Sequence, residues 1–130
     1  MLEPEWLSLN TVLAVHDAQI AEHGGLPGIK DQGLLEAALD RPKNRFAYGA
    51  PDIATLAACY AYGISKNHGF ADGNKRTSNV AAITFLELNG YELQVRDDEQ
   101  TTMWLQLADD AVTEDEFASW LRTKIIKTTP

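Results

Sequence analysis

The segment Asn67-His68-Gly69-Phe70-Ala71-Asp72-Gly73-Asn74-Lys75-Arg76-Thr77 gathers a histidine, a carboxylate, two glycines and two cations within eleven residues. An imidazole takes a proton from a hydroxyl near neutral pH, which makes His68 a candidate general base. Asp72 can hold a hydrated Mg²⁺ against phosphate oxygens, because this metal usually takes one or two carboxylates and completes its shell with water and phosphate. Gly73, Asn74, Lys75 and Arg76 fall where a helix is expected to begin. Unpaired N–H groups there attract anions, and glycine lets a phosphate approach the main chain. Lys75 and Arg76 place cations where the macrodipole favours acids, so they point to an anionic ligand. Phe70 reads as the apolar anchor that pins the loop to the core.

Each residue also has a plainer reading. Alone, His68 can end a helix, Asp72 can cap one, and a Lys-Arg pair can be solvated surface. Their concentration from His68 to Arg76 favours the chemical reading. A P-loop is rejected because the spacing from Gly69 to Lys75 is wrong and the segment follows a helix, not a strand. His16 and His23 lack partners at metal-ligand spacing and are assigned structural or solvent roles. Trp6, Trp104 and Trp120 are assigned to the core, and Asp109 to Glu116 to helix ends. Cys59 is the only cysteine, which excludes an internal disulfide and a multi-cysteine metal site; it reads as a buried, inert thiol.

The elements that must position this loop follow from composition and pattern. The chain has 130 residues, 45% hydrophobic and 23% charged, the balance of one globular domain spanning 1–130. Its net charge of -8 disfavours nucleic acid and anionic membranes as main partners. No apolar run approaches ~18 residues and the start lacks a basic, apolar leader, so a cytoplasmic protein is expected. Helical spacing runs from Ser8 to Glu22, and Asp31 caps a second helix that Pro42 is expected to end. Lys43 to Ala50 reads as an exposed loop or small hairpin, a flap whose strands can pair with a protein target or that merely covers the site. Asp52 opens a third helix through about Lys66. Asn74 to Asn89 is apolar on nearly every side and is expected to be the central helix. Tyr91 to Val95 reads as extended, Asp98 to Ala111 as a fifth helix, and Thr113-Glu114-Asp115-Glu116 as the capping box of a sixth. The expected fold is all-α, about six helices with a small β-hairpin flap.

The run from His68 to Arg76 resembles the signature of the Fic/Doc (Fido) family. Its Asn-Lys-Arg ending is similar to the Doc branch, the death-on-curing toxins of bacterial type II toxin-antitoxin modules. The similarity extends through His16-Asp17-Ala18, the Gly24 to Gly28 turn and the region around Tyr48. The resemblance implies a helical fold with a flap, His68 as base, Asp72 as the Mg²⁺ contact, Asn74, Lys75 and Arg76 as phosphate binders, and Phe70 as loop anchor. Adenylylating relatives carry glycine where this chain has Lys75 and a second arginine where it has Asn79. The Doc branch implies ATP bound in reversed orientation, with the γ-phosphate passed to a threonine of elongation factor Tu and protein synthesis arrested. It also implies neutralisation by a Phd-like antitoxin, and no inhibitory Glu-rich helix motif is evident in this chain. Three readings stand: a toxin kinase, a protein adenylyltransferase, and a non-catalytic binding module, the last opposed by the intact His68.

Overall fold

A computed structural model describes residues 2–128, so Met1, Thr129 and Pro130 of the expected 1–130 domain lie outside it. The elements are α1 (Leu9–His23), α2 (Gln32–Gly49), α3 (Ile53–Asn67), α4 (Asn74–Leu88), β1 (Tyr91–Leu93), α5 (Asp97–Ala108), α6 (Glu114–Lys124) and β2 (Ile125–Lys127). The architecture is all-α, with six helices and one two-stranded antiparallel sheet among the described residues. Four helices begin where a short polar side chain accepts a hydrogen bond from the first turn: Ser8, Asp31, Asp52 and Thr113. At Thr113 the capping box with Glu116 is complete in both directions.

Two expectations about position are corrected. Pro42 does not end α2; it is buried inside the helix, which continues to Gly49. An interior proline removes one ladder bond and normally costs about 3 kcal/mol, so tertiary contacts must hold the second half in place. Just before the proline, Arg41 donates to Glu114 on α6 at 2.8 Å and to the Cys59 carbonyl at 3.1 Å, and one turn later Arg45 lies 3.7 Å from the other Glu114 oxygen. Phe46 meets the edge of Trp6 at 5.7 Å. The segment from Lys43 to Ala50 is therefore mainly helix and no hairpin. The small sheet lies elsewhere, with Tyr91, Glu92 and Leu93 paired to Lys127, Ile126 and Ile125.

The central helix is α3, not α4. Nearly all of α3 from Ile53 to Ser65 is buried, whereas α4 leaves Val80 and Ile83 partly open and Leu88 exposed. The physical reason is residue size. Ala54, Ala57, Ala58 and Ala61 give α3 no long apolar stripe, yet they let neighbouring helices approach from several sides. Tyr60 of α3 packs against Phe85 of α4 at 4.8 Å, and Phe85 stacks on Trp6 at 6.1 Å. Ser78 donates across the α3–α4 contact to the Ala61 carbonyl at 2.7 Å. This packing sets the two ends between which the 68–73 loop must pass.

Arg122 of α6 clamps the α3 N-cap, donating to both Asp52 oxygens at 2.6 and 3.1 Å. That ion pair, with the Thr55 bonds, holds the Asp52 carboxyl well below the usual carboxylate range. A depressed acid stabilises the fold above its unfolded pKa of about 3.9, and the contribution is lost as pH falls through the folded value. Both side chains are about half exposed (48% and 47%), so Arg122→Met is expected to cost only about 1 kcal/mol at pH 5–7. Urea unfolding across pH should show the gap to wild type shrinking below about pH 4; a gap independent of pH would refute the assignment.

Candidate active site

The loop leaves α3 at His68, whose left-handed backbone (φ 51°, ψ 48°) turns the chain out of the helix and exposes the imidazole. Phe70 then turns inward and is 1% exposed. Its ring lies 3.8 Å from that of His16 on α1, with the planes 4° apart. On one side the loop pairs with the segment between α1 and α2: Lys30 and Asp31 N–H donate to Gly69 O, and Ala71 N–H donates to Gly28 O. These bonds flank the antiparallel bridge between Ile29 and Phe70. On the other side the Asn74 carboxamide takes the place of a strand, accepting from Phe70 N–H at 3.1 Å and donating to Phe70 O at 3.0 Å. The loop is thus the middle of a three-part ladder.

The candidate groups on either side of Phe70 converge. His68, Asp72, Gly73, Asn74, Lys75 and Arg76 line one cleft of about 470 Å³, which Leu105 of α5 also lines. Phe70 is not in it, as befits an anchor. Gly73 caps α4 without a side-chain bond, so the first turn of that helix keeps its free N–H groups. Neither Lys75 nor Arg76 lies within ion-pair distance of a carboxylate among the described residues. Arg76 donates to the Gly24 carbonyl at 3.0 Å, which uses one of five donors and leaves the others for a ligand. Because the Asn74 carboxamide is held by Phe70, only the main-chain N–H of that residue remains free to meet a ligand.

Asp72 stands exposed at the cleft mouth. Its Oδ2 accepts from Leu26 N–H at 3.2 Å and its Oδ1 from Gly73 N–H at 2.8 Å. These two bonds hold its carboxyl below the ordinary range, so it stays ionised at any pH near neutral. No group of three or more potential ligands exists among the described residues. A cation there has to be held by Asp72 with ligand oxygens and water, an arrangement that fits Mg²⁺ and not a protein-caged metal. A larger cleft of about 560 Å³ lies at the end of α2, lined in part by Arg41, Arg45, Tyr48 and Cys59. It contains none of the loop residues, and burial pushes the Cys59 thiol up to about 11, which makes it a poor nucleophile.

The description "Fic/DOC family" belongs to the sequence model that matches residues 6–86 of this chain. The chain belongs to that family. It is 39% identical over 88 residues to a protein named "Protein kinase doc" from Escherichia phage P1, across 67% of this chain and 70% of that protein. It is 42% identical over 73 residues to a protein named "Toxin Doc" from Mycolicibacterium smegmatis, across 54% of this chain and 55% of that one. In this Fic/DOC chain the matched stretch contains α1, the loop and nearly all of α4.

Sequence reasoning singled out the loop residues, gave His16 a structural or solvent role and noted the turn from Gly24 to Gly28, but did not foresee that His16 and the strap from Gly24 to Asp31 hold the loop. A histidine on the apolar face of α1 and three glycines in five residues were the available signals. The strap makes a sharp prediction at Gly25, whose φ of 119° is rare for other residues and whose missing Cβ would lie 2.7 Å from Asp72 Oδ2. Gly25→Ala is expected to keep the fold, displace the carboxylate and lose the Leu26 N–H bond. Gly24→Ala, with φ 80° but nothing within 4 Å, is the control for backbone strain alone. Amide spectra should show Leu26 shifted in the first variant and not in the second.

Proposed function

We propose that this chain is a Doc-type toxin that acts as an ATP-dependent protein kinase on a serine or threonine hydroxyl of a translation factor of the elongation factor Tu class. The observation that carries the reading is the uncapped first turn of α4, which brings Lys75 and Arg76 into the cleft that also holds His68. Such a turn binds phosphate oxygens, and the two cations balance their charge. His68 takes the proton from the target hydroxyl, whose oxygen attacks the γ-phosphorus as ADP departs. Asp72 is the residue that would hold Mg²⁺, which when bound neutralises phosphate charge. The relative named Toxin Doc supports the toxin reading, and the one named protein kinase doc supports transfer of phosphate over transfer of a nucleotide. So does Asn79, which accepts from Gln100 of α5 at 2.7 Å and carries no charge where adenylylating relatives have a second arginine. A toxin of this kind requires a separate antitoxin of the Phd-like class, and cytoplasmic action follows from the target.

The protein target needs a guide to the cleft, and the segment expected to serve as a flap, Lys43 to Ala50, is mainly helical. The strap offers an alternative. In the Ile29–Phe70 bridge the hydrogen bonds run between the flanking residues, so the N–H and C=O of Ile29 point away from the loop. Neither has a partner among the described residues. Exposed Leu26, Ile29 and Leu34 border this edge, which suits an extended target segment laid beside the catalytic loop.

Three measurements test the reading. With ATP labelled at the α or γ position, Mg²⁺ and a cell extract, label is expected to enter a protein from γ only; entry from α establishes an adenylyltransferase instead. His68→Ala is expected to lower turnover by ~10²–10⁴ with nucleotide binding kept. Ile29→Pro removes the outward N–H without touching the bonds of Gly28 and Lys30. It should raise KM for the protein target several-fold and leave KM for ATP unchanged, whereas equal KM values for the target remove the docking edge.

A further inference from the structure

We propose that His16, outside the signature loop, is a positioning residue that locks the Asp72–Gly73 peptide in the orientation the site requires; its link to catalysis rests on the kinase reading above. His16 sits in the middle of α1, 1% exposed, and its Nε2 lies 2.8 Å from the Asp72 carbonyl oxygen. A carbonyl only accepts, so Nε2 carries the hydrogen and donates. The bond reaches across 56 positions of sequence to the one peptide that joins the exposed carboxylate to the cap of α4.

That peptide is the weak point of the loop. The peptide unit is planar, so holding the Asp72 carbonyl also fixes the Gly73 N–H, which points to the opposite side. This N–H is the donor that holds Asp72 Oδ1 at 2.8 Å. Gly73 has φ 76°, and turning the Asp72–Gly73 unit over would bring it to about -100°, a value open to any residue. Glycine makes both orientations accessible. The flipped form would aim a carbonyl oxygen where the carboxylate now finds a donor. His16 favours the observed form, which gives its Nε2–H an acceptor; to accept from a flipped Gly73 N–H the imidazole would have to carry its proton on Nδ1, which has no hydrogen-bond partner among the described residues. Stacking on Phe70 keeps the imidazole plane, and hence the direction of Nε2, from rotating.

Two substitutions separate this role from simple core filling. His16→Phe keeps a ring against Phe70 and removes the donor; His16→Gln loses the ring and places an amide N–H near the position of Nε2. The full chain is followed by amide hydrogen exchange, with Tyr60 in α3 as the reference for global opening. In His16→Phe, Gly73 and Leu26 should exchange about fivefold faster or more relative to Tyr60, the factor of one lost hydrogen bond. His16→Gln should recover most of that protection, and kcat for phosphate transfer should follow the same order with KM for ATP little changed. Unchanged Gly73 and Leu26 exchange in His16→Phe overturns the proposal. So does acceleration shared equally by Tyr60 in both variants, which marks His16 as mere packing. A wild-type protein that transfers no label, with the exchange pattern intact, sinks the kinase reading and leaves the positioning role standing.

Discussion

Phe70 is held from every direction at once: its ring is buried against His16, one flank of its backbone pairs with Gly28 to Asp31, and the other bonds the Asn74 side chain. The short connection from α3 to α4 bears an exposed imidazole, an exposed carboxylate and a glycine cap, none of which favours order. Loops of that composition open readily, because they bury little apolar surface and leave backbone bonds to water. Burying one phenylalanine supplies about 2–3 kcal/mol, and the ladder on both sides leaves its polar groups satisfied. His68 lies two positions before this anchor and Asp72 two after it, so both inherit its rigidity while their side chains stay open to solvent.

The charge distribution follows the same division of labour. A chain of net charge -8 has a distant field that opposes anionic ligands, but fields between exposed charges fade over about 8 Å at physiological ionic strength. Within the cleft the near terms dominate: the free N–H groups of α4, Lys75 and Arg76. Cations at a helix start oppose its dipole, so the unliganded first turn of α4 is less stable than an acidic one. Helices α5 and α6 show the contrary pattern, with Asp97, Asp98 and Glu99 in one first turn and Glu114, Asp115 and Glu116 in the other. The exception at α4 is local and coincides with the cleft.

Much of the helix order was legible because local physics dominates there. Ser8, Asp31, Asp52 and Thr113 cap helices regardless of what those helices pack against, and Gly73 begins α4 through its own φ of 76°. The loop stood out as a candidate site for a related reason: an imidazole, a carboxylate and two cations beside a helix start have few joint uses, whatever the surrounding fold. Elements whose outcome depends on distant partners were not legible. Pro42 stays within a helix whose later turns contact other elements, Arg45 lying 3.7 Å from Glu114 on α6 and Phe46 packing on Trp6, and such distant contacts cannot be read from the proline's neighbours. For the same reason α3 was not recognised as the centre, since its alanines are weak hydrophobic signals and matter through the close approach they permit.

The sequence by itself determined where most of the helices start, and it put an imidazole, a carboxylate and two cations into one short loop before a helix. Tertiary structure alone decided which of those groups face the cleft and what holds them there. Asn74 is the clearest case: its residue type fits phosphate binding, yet its carboxamide is taken by Phe70, four residues earlier. His16 is the converse, a residue with no partner in its own neighbourhood that acquires one 56 positions away. A hydrogen bond depends on distance and direction in space, and for residues far apart in the chain those are set only once α1, α3 and α4 have packed.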